Sequence, residues 1–141
     1  MLTGVLEVVR GEASVQATLS ALREPASTAL GVEVSLPRGM RAPLLALAAP
    51  EHGTVLAVTA TAREAEDLAA ALTAYLPADA IATFPSWETL PHERLSPRSD
   101  TVGRRLAVLR RLAHPDPEDP GYGRIEVLTC SIRALLQPIV Q

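Results

Sequence analysis

Lysine is absent from the 141 residues, so all thirteen basic side chains are arginines and any mechanism that needs a lysine ammonium is excluded. Cysteine occurs once, at Cys130, which rules out an internal disulfide. Aromatic residues make up 3% of the chain, with a single Phe and a single Trp, so the core has to come from interdigitated Leu, Val and Ala within the 48% hydrophobic content. Long apolar runs are also missing. The longest, residues 42–50, is far short of the roughly 20 residues that span a bilayer, and the N-terminus lacks a basic flank followed by such a run. A cytoplasmic protein with no membrane partner is expected. The formal charge of −3 gives little long-range pull on a polyanion, so indiscriminate nucleic-acid binding is not the default, although local basic patches stay open.

What is present is a regular alternation of helical and extended patterns. Residues 2–23 pattern as one or two helices broken near Gly11, with Val15, Leu19 and Leu22 on one face. Residues 31–36 alternate Val32 and Val34 with Glu33 and Ser35, as a half-buried or edge strand does, and Pro37 stops the run. Residues 38–49 pattern as a helix that tolerates Pro43 only in its first turn, where the missing N–H has no intrahelical partner anyway. TVLAVTA, residues 54–60, is short, apolar and β-branched, as expected of a strand covered on both faces. Thr61 is placed to cap the following helix, with Glu64 three residues on completing a capping box, and Leu68, Leu72 and Leu76 line one stripe of residues 62–76.

A strand at 80–84, a long polar loop at 85–97 and a helix from about 99 to 113 come next. On that helix Val102, Leu106, Leu109 and Ala113 fall within an arc of about 60° at about 100° per residue, which marks them as the buried face. A turn-rich loop at 114–123 leads to a last strand at 125–130, after which Ser131 is placed to cap a final apolar helix. Strands separated by helices imply an α/β fold of three layers, a mainly parallel sheet flanked by helices. One α/β subdomain over 1–141 is expected, and the close of the sequence just after an apolar helix suggests a piece of a larger protein.

Residues that carry chemistry are sparse. A phosphate-binding loop belongs between the strand near Val34 and the helix near Leu44, where it needs glycines, a Lys and a hydroxyl. The sequence there, SLPRGMRAPLL, has one Gly and no Lys; Arg38 and Arg41 are the available cations. His52, His92 and His114 lie in three separate loops without metal-site pairing, and Cys130 stands alone at a strand end. Glu88, His92, Glu93 and Asp100 are simply explained as solvated or paired with Arg94 and Arg98. No catalytic, cofactor-binding or metal-binding residue is expected. Arg98, Arg104, Arg105, Arg110 and Arg111 form a basic patch against only Asp100 on one helix, with Arg104 and Arg111 opposite the apolar stripe. A solvated face, a contact with another domain or protein, and a contact with DNA phosphates are all open for it. Trp87, at the start of a polar loop, reads as an anchor whose indole N–H needs a carbonyl or carboxylate acceptor, or else as a partner contact. The candidate contact residues are thus Trp87, Arg94, Arg98, Arg104 and Arg111.

Three segments, VTATAREAEDLAAAL (58–72), FPSWETLPHERLSPRSDTVGRRLAVLRRL (84–112) and IEVLTCSIRALLQP (125–138), carry a resemblance. In their order and spacing, and above all in WETLP followed by SP and an Asp, the chain resembles the N-terminal UvrB-like module of bacterial transcription-repair coupling factors. The resemblance implies a degenerate RecA-like, P-loop-type subdomain similar to UvrB domain 1a, without a working phosphate loop. It implies a large protein that displaces RNA polymerase stalled at DNA lesions by ATP-driven translocation and recruits UvrA for nucleotide excision repair. ATP and Mg²⁺ then belong to C-terminal domains, UvrA binding to the adjoining subdomain, and RNA polymerase and DNA contacts to other domains. For the present chain it implies a noncatalytic scaffold with intramolecular domain contacts. Two rivals stay open: an atypical nucleotide hydrolase using Arg38, and a DNA-binding module using the helix at 98–111.

Overall fold

Three short strands hold the centre, and their burial follows directly from which side of each is covered. The computed structural model describes residues 1–23, 31–87, 98–119 and 121–139, with the side chains at 51 and 52 outside that description. Strands β1 (Val55–Thr59), β2 (Ile81–Phe84) and β3 (Val127–Ser131) form a parallel sheet in the order β1-β3-β2. Val127 pairs with Val55 on one side and with Ile81 on the other, so β3, the last strand in sequence, is the central one. Every residue of β3 is buried.

Helices α1 (Thr3–Gly11), α2 (Ala13–Arg23), α3 (Arg41–His52) and α4 (Ala62–Leu72) precede β2 in the chain, and α5 (Ser99–Ala113) and α6 (Ile132–Leu136) follow it. One face of the sheet receives α3 and α4: Ala42, Ala46, Ala49, Leu72, Leu76 and Val127 form a core, with Val55, Ala57 and Ile81 packed against it. The small alanines let α3 approach the strands closely, and burying each Leu contributes about 1.5–3 kcal/mol. Thr83 and Thr129 also point to this side, and their hydroxyls hydrogen-bond each other at 2.9 Å instead of being buried unpaired. A satellite core of Val15, Leu19, Leu47 and Ala48 fastens α1 and α2 to the outside of α3. The opposite face of the sheet is covered by α5, through Val108, Ile125 and Leu128 with Ala82 and Phe84.

Local signals in the sequence set most element ends. Thr61 Oγ accepts the Glu64 N–H at 3.2 Å and starts α4; Ser131 Oγ accepts the Ala134 N–H at 3.2 Å and starts α6. Pro43 sits in the first turn of α3, and that helix runs on past Pro50 until Gly53, whose φ of 85° suits a residue without Cβ.

Four expectations need correction. Residues 31–36 form no strand: 31–35 lie exposed, and among the described residues the run pairs with no neighbour, because alternation supplies a face but not a partner edge. The second half of the Thr61 capping box does not close, since the Glu64 carboxylate lies 3.3 Å from the Arg38 guanidinium. Strand β1 is covered on one side only among the described residues; Leu56 and Val58 remain 46% and 44% exposed. Finally, the buried face of α5 is Thr101, Arg105 and Val108, while Leu106 is 60% exposed and Ala113 is exposed as well. The helix is turned by about one residue, roughly 100°, from the orientation its apolar stripe predicts.

Candidate functional site

In open parallel sheets, ligands settle beyond the carboxyl ends of the strands, where neighbouring strands send their connections to opposite faces. Here that place lies between β1, which leads into α4 on one face, and β3, which leads into α6 on the other. A cavity of about 370 Å³ opens beside it, lined among others by Arg38, Gly39, Arg41, Thr59, Glu64 and Asp67. Its chemistry is mixed. Arg38 is engaged by Glu64, Asp67 adds a second carboxylate, and Thr59 Oγ donates within the protein, to Thr61 O at 2.8 Å. Gly39 is the middle residue of the short 3₁₀ turn 38–40 and has no positive φ, so the run has none of the left-handed glycines that turn successive N–H groups toward one anion. The arrangement is a charge-balanced crevice with two arginines and two carboxylates, chemically unlike a polyphosphate cradle.

The second place of interest is the arginine-rich helix. Arg98 and Arg104 are exposed, and Arg104 also borders a cleft of about 170 Å³ with Thr83, Ser86, Thr101 and Ser131. Arg111 is turned into the structure: its Nε donates to Gly123 O at 2.9 Å and its Nη2 to Asp79 O. Arg110 stacks on Tyr122 with its guanidinium carbon 4.3 Å from the ring centre. Arg94 lies outside the described residues. Of the five candidate contact residues the structure therefore presents Arg98 and Arg104 to solvent, ties Arg111 to two carbonyls, and buries Trp87 to 5% exposure. Trp87 is an anchor, and its indole N–H donates to Pro138 O at 3.0 Å.

The residue that sequence reasoning placed on the basic surface and the structure places inside is Arg105, 1% exposed. Its guanidinium carbon lies 4.1 Å from the centre of the Phe84 ring and 4.2 Å from that of Trp87, so the only Phe and only Trp of the chain form a cage around one cation. Arg105 donates to Pro85 O at 2.8 Å and to Pro138 O at 3.1 Å. Burial pushes its guanidinium below the usual arginine range. The available signal was the i, i+4, i+7 spacing of Thr101, Arg105 and Val108 on a helix preceded by two isolated aromatics.

Comparison with known proteins adds a direct observation. The chain is 57% identical over 96 residues to the transcription-repair-coupling factors of Mycobacterium tuberculosis and Mycobacterium bovis. It is similar to one stretch of a coupling factor. The matched stretch covers 68% of this chain but only 8% of each mycobacterial coupling factor, so the chain spans a small part of those relatives' length. No family model matches. Among the described residues no helix is long and apolar enough to cross a membrane, and no three His, Cys, Asp or Glu side chains gather as a metal site.

Proposed function

We propose that this chain is a noncatalytic scaffold subdomain of a transcription-repair coupling factor, similar in architecture to UvrB domain 1a with a degenerate RecA-like phosphate site. The observation that carries the reading is the 57% identity to coupling factors over 96 residues. In this reading the adjoining subdomain recruits UvrA, and other domains engage RNA polymerase and DNA and use ATP and Mg²⁺. This unit holds its neighbours through domain contacts in the cytoplasm. The crevice beside β1 supports the noncatalytic role on chemical grounds. The two arginines, Arg38 and Arg41, are matched by Glu64 and Asp67, so the crevice has no surplus positive charge for the three or four negative charges a nucleotide would bring.

Titration calorimetry of the chain with ATP and Mg²⁺ tests it. No binding heat is expected, whereas micromolar affinity, lost in Arg38→Ala, overturns the scaffold reading in favour of a nucleotide hydrolase. The DNA-binding alternative is weakened by the inward use of Arg105 and Arg111. It predicts duplex affinity that falls steeply with salt.

A further inference from the structure

An arginine buried to 1% exposure is costly unless its surroundings replace water, and apolar residues of the same volume are often the more stable choice. At Arg105 the replacement is two ring faces and two carbonyls, and among the described residues Nε has no hydrogen-bond partner. What an apolar residue cannot supply is direction. One fork of the guanidinium reaches Pro85 O, in the segment leaving β2, and the other reaches Pro138 O, beyond α6, two segments 53 residues apart in sequence (138 less 85). Pro138 O is at once the acceptor for the Trp87 indole. Gln137 completes the junction by accepting the Trp87 backbone N–H at 2.7 Å and donating to Trp87 O at 3.4 Å.

We propose that Arg105 is a positioning residue, a latch that fixes the 137–139 run against the 85–87 segment through the Phe84–Trp87 cage. The planar fork is what makes this work: it stacks on both rings while its edge bridges the two carbonyls, which a lysine ammonium on the same stem cannot do. The latch also holds one wall of the apolar groove formed by Leu56, Leu109, Leu112, Leu135 and Ile139, since Gln137 and Ile139 belong to both. Resting on the scaffold reading, the latch sets the orientation in which this unit presents the segment around 137–139 to a neighbouring subdomain.

Trp87 is the sole tryptophan, so its emission and its indole N–H exchange report on the latch without labels. In Arg105→Met the far-UV circular dichroism is expected to stay unchanged. Trp87 emission moves to the red, indole exchange accelerates at least about tenfold, and trypsin gains access to the bond after Arg133 in α6. Arg105→Lys is expected not to rescue. Unchanged emission and exchange in Arg105→Met, or full rescue by Lys, overturns the proposal. If Arg105→Met does not fold, Gln137→Ala decides. Indole exchange close to the parent supports Arg105 as the holder, and release as large as that described for Met assigns the latch to Gln137 instead. None of these readouts depends on nucleotide, so failure of the latch and failure of the scaffold reading are seen in different experiments.

Discussion

The orientation of α5 is open to a direct test, because two leucine-or-valine truncations two residues apart should differ several-fold in cost. Val108 is 6% exposed and packs with Ile125 and Leu128. Truncation to Ala removes two methyl groups, about 1.6 kcal/mol of transfer free energy at about 0.8 per carbon, and the partial void adds to this. The expected cost of Val108→Ala is about 2–2.5 kcal/mol. Leu106 is 60% exposed on the same helix, and its truncation removes more carbon but from a side chain mostly in water. Alanine is also the better helix former, so Leu106→Ala should change stability by no more than about 0.5 kcal/mol. Urea unfolding followed by Trp87 fluorescence at constant slope measures both, and thermal scans should show a drop of about 6–8 °C for the first and about 1–2 °C for the second. If Leu106→Ala costs 2 kcal/mol or more and Val108→Ala almost nothing, the buried face is the 102, 106, 109, 113 stripe after all. The Arg105 cage would then be wrong with it.

The Thr61 cap should separate from its would-be partner: Thr61→Ala is expected to cost about 1 kcal/mol, while Glu64→Ala, which removes the side-chain oxygens a capping box needs, costs about 0.5 kcal/mol or less, because the ion pair with Arg38 is largely solvated. Equal losses in denaturant titrations would mean that the carboxylate closes the box in solution. Burial pushes the Cys130 thiol up from its usual range, so its folded value lies above its unfolded one. The associated stability is complete below the unfolded thiol value of about 8.5 and is lost as pH rises through the folded one. The parent should therefore lose more stability than Cys130→Ala between pH 7 and pH 10, and identical losses would place the thiol in water. Calorimetry with ATP and Mg²⁺ and the Arg105 series complete the set.

How much was legible in the sequence depended on the range of the interaction involved. The Thr61 and Ser131 caps, the Pro43 entry to α3 and the extents of β2 and α5 follow from contacts within a few residues, and these were readable. The strand expected at 31–36 was not readable, since a strand needs a neighbour's edge and alternation says nothing about where one is. Trp87 was readable as an anchor but its acceptor was not, because Pro138 is 51 residues away.

The sequence by itself determined the caps and breaks of most segments and the absence of any lysine, because these rest on backbone sterics and on which side chains exist at all. Only the tertiary structure decided that the last strand lies in the middle, that Leu56 and Val58 of β1 stay nearly half exposed, and which side of α5 turns inward. The apolar stripe of that helix lost to a rotation that brings one guanidinium between two rings and onto two carbonyls. Periodicity counts every arginine as belonging to water, and it has no means of knowing that distant segments have assembled a site able to take water's place.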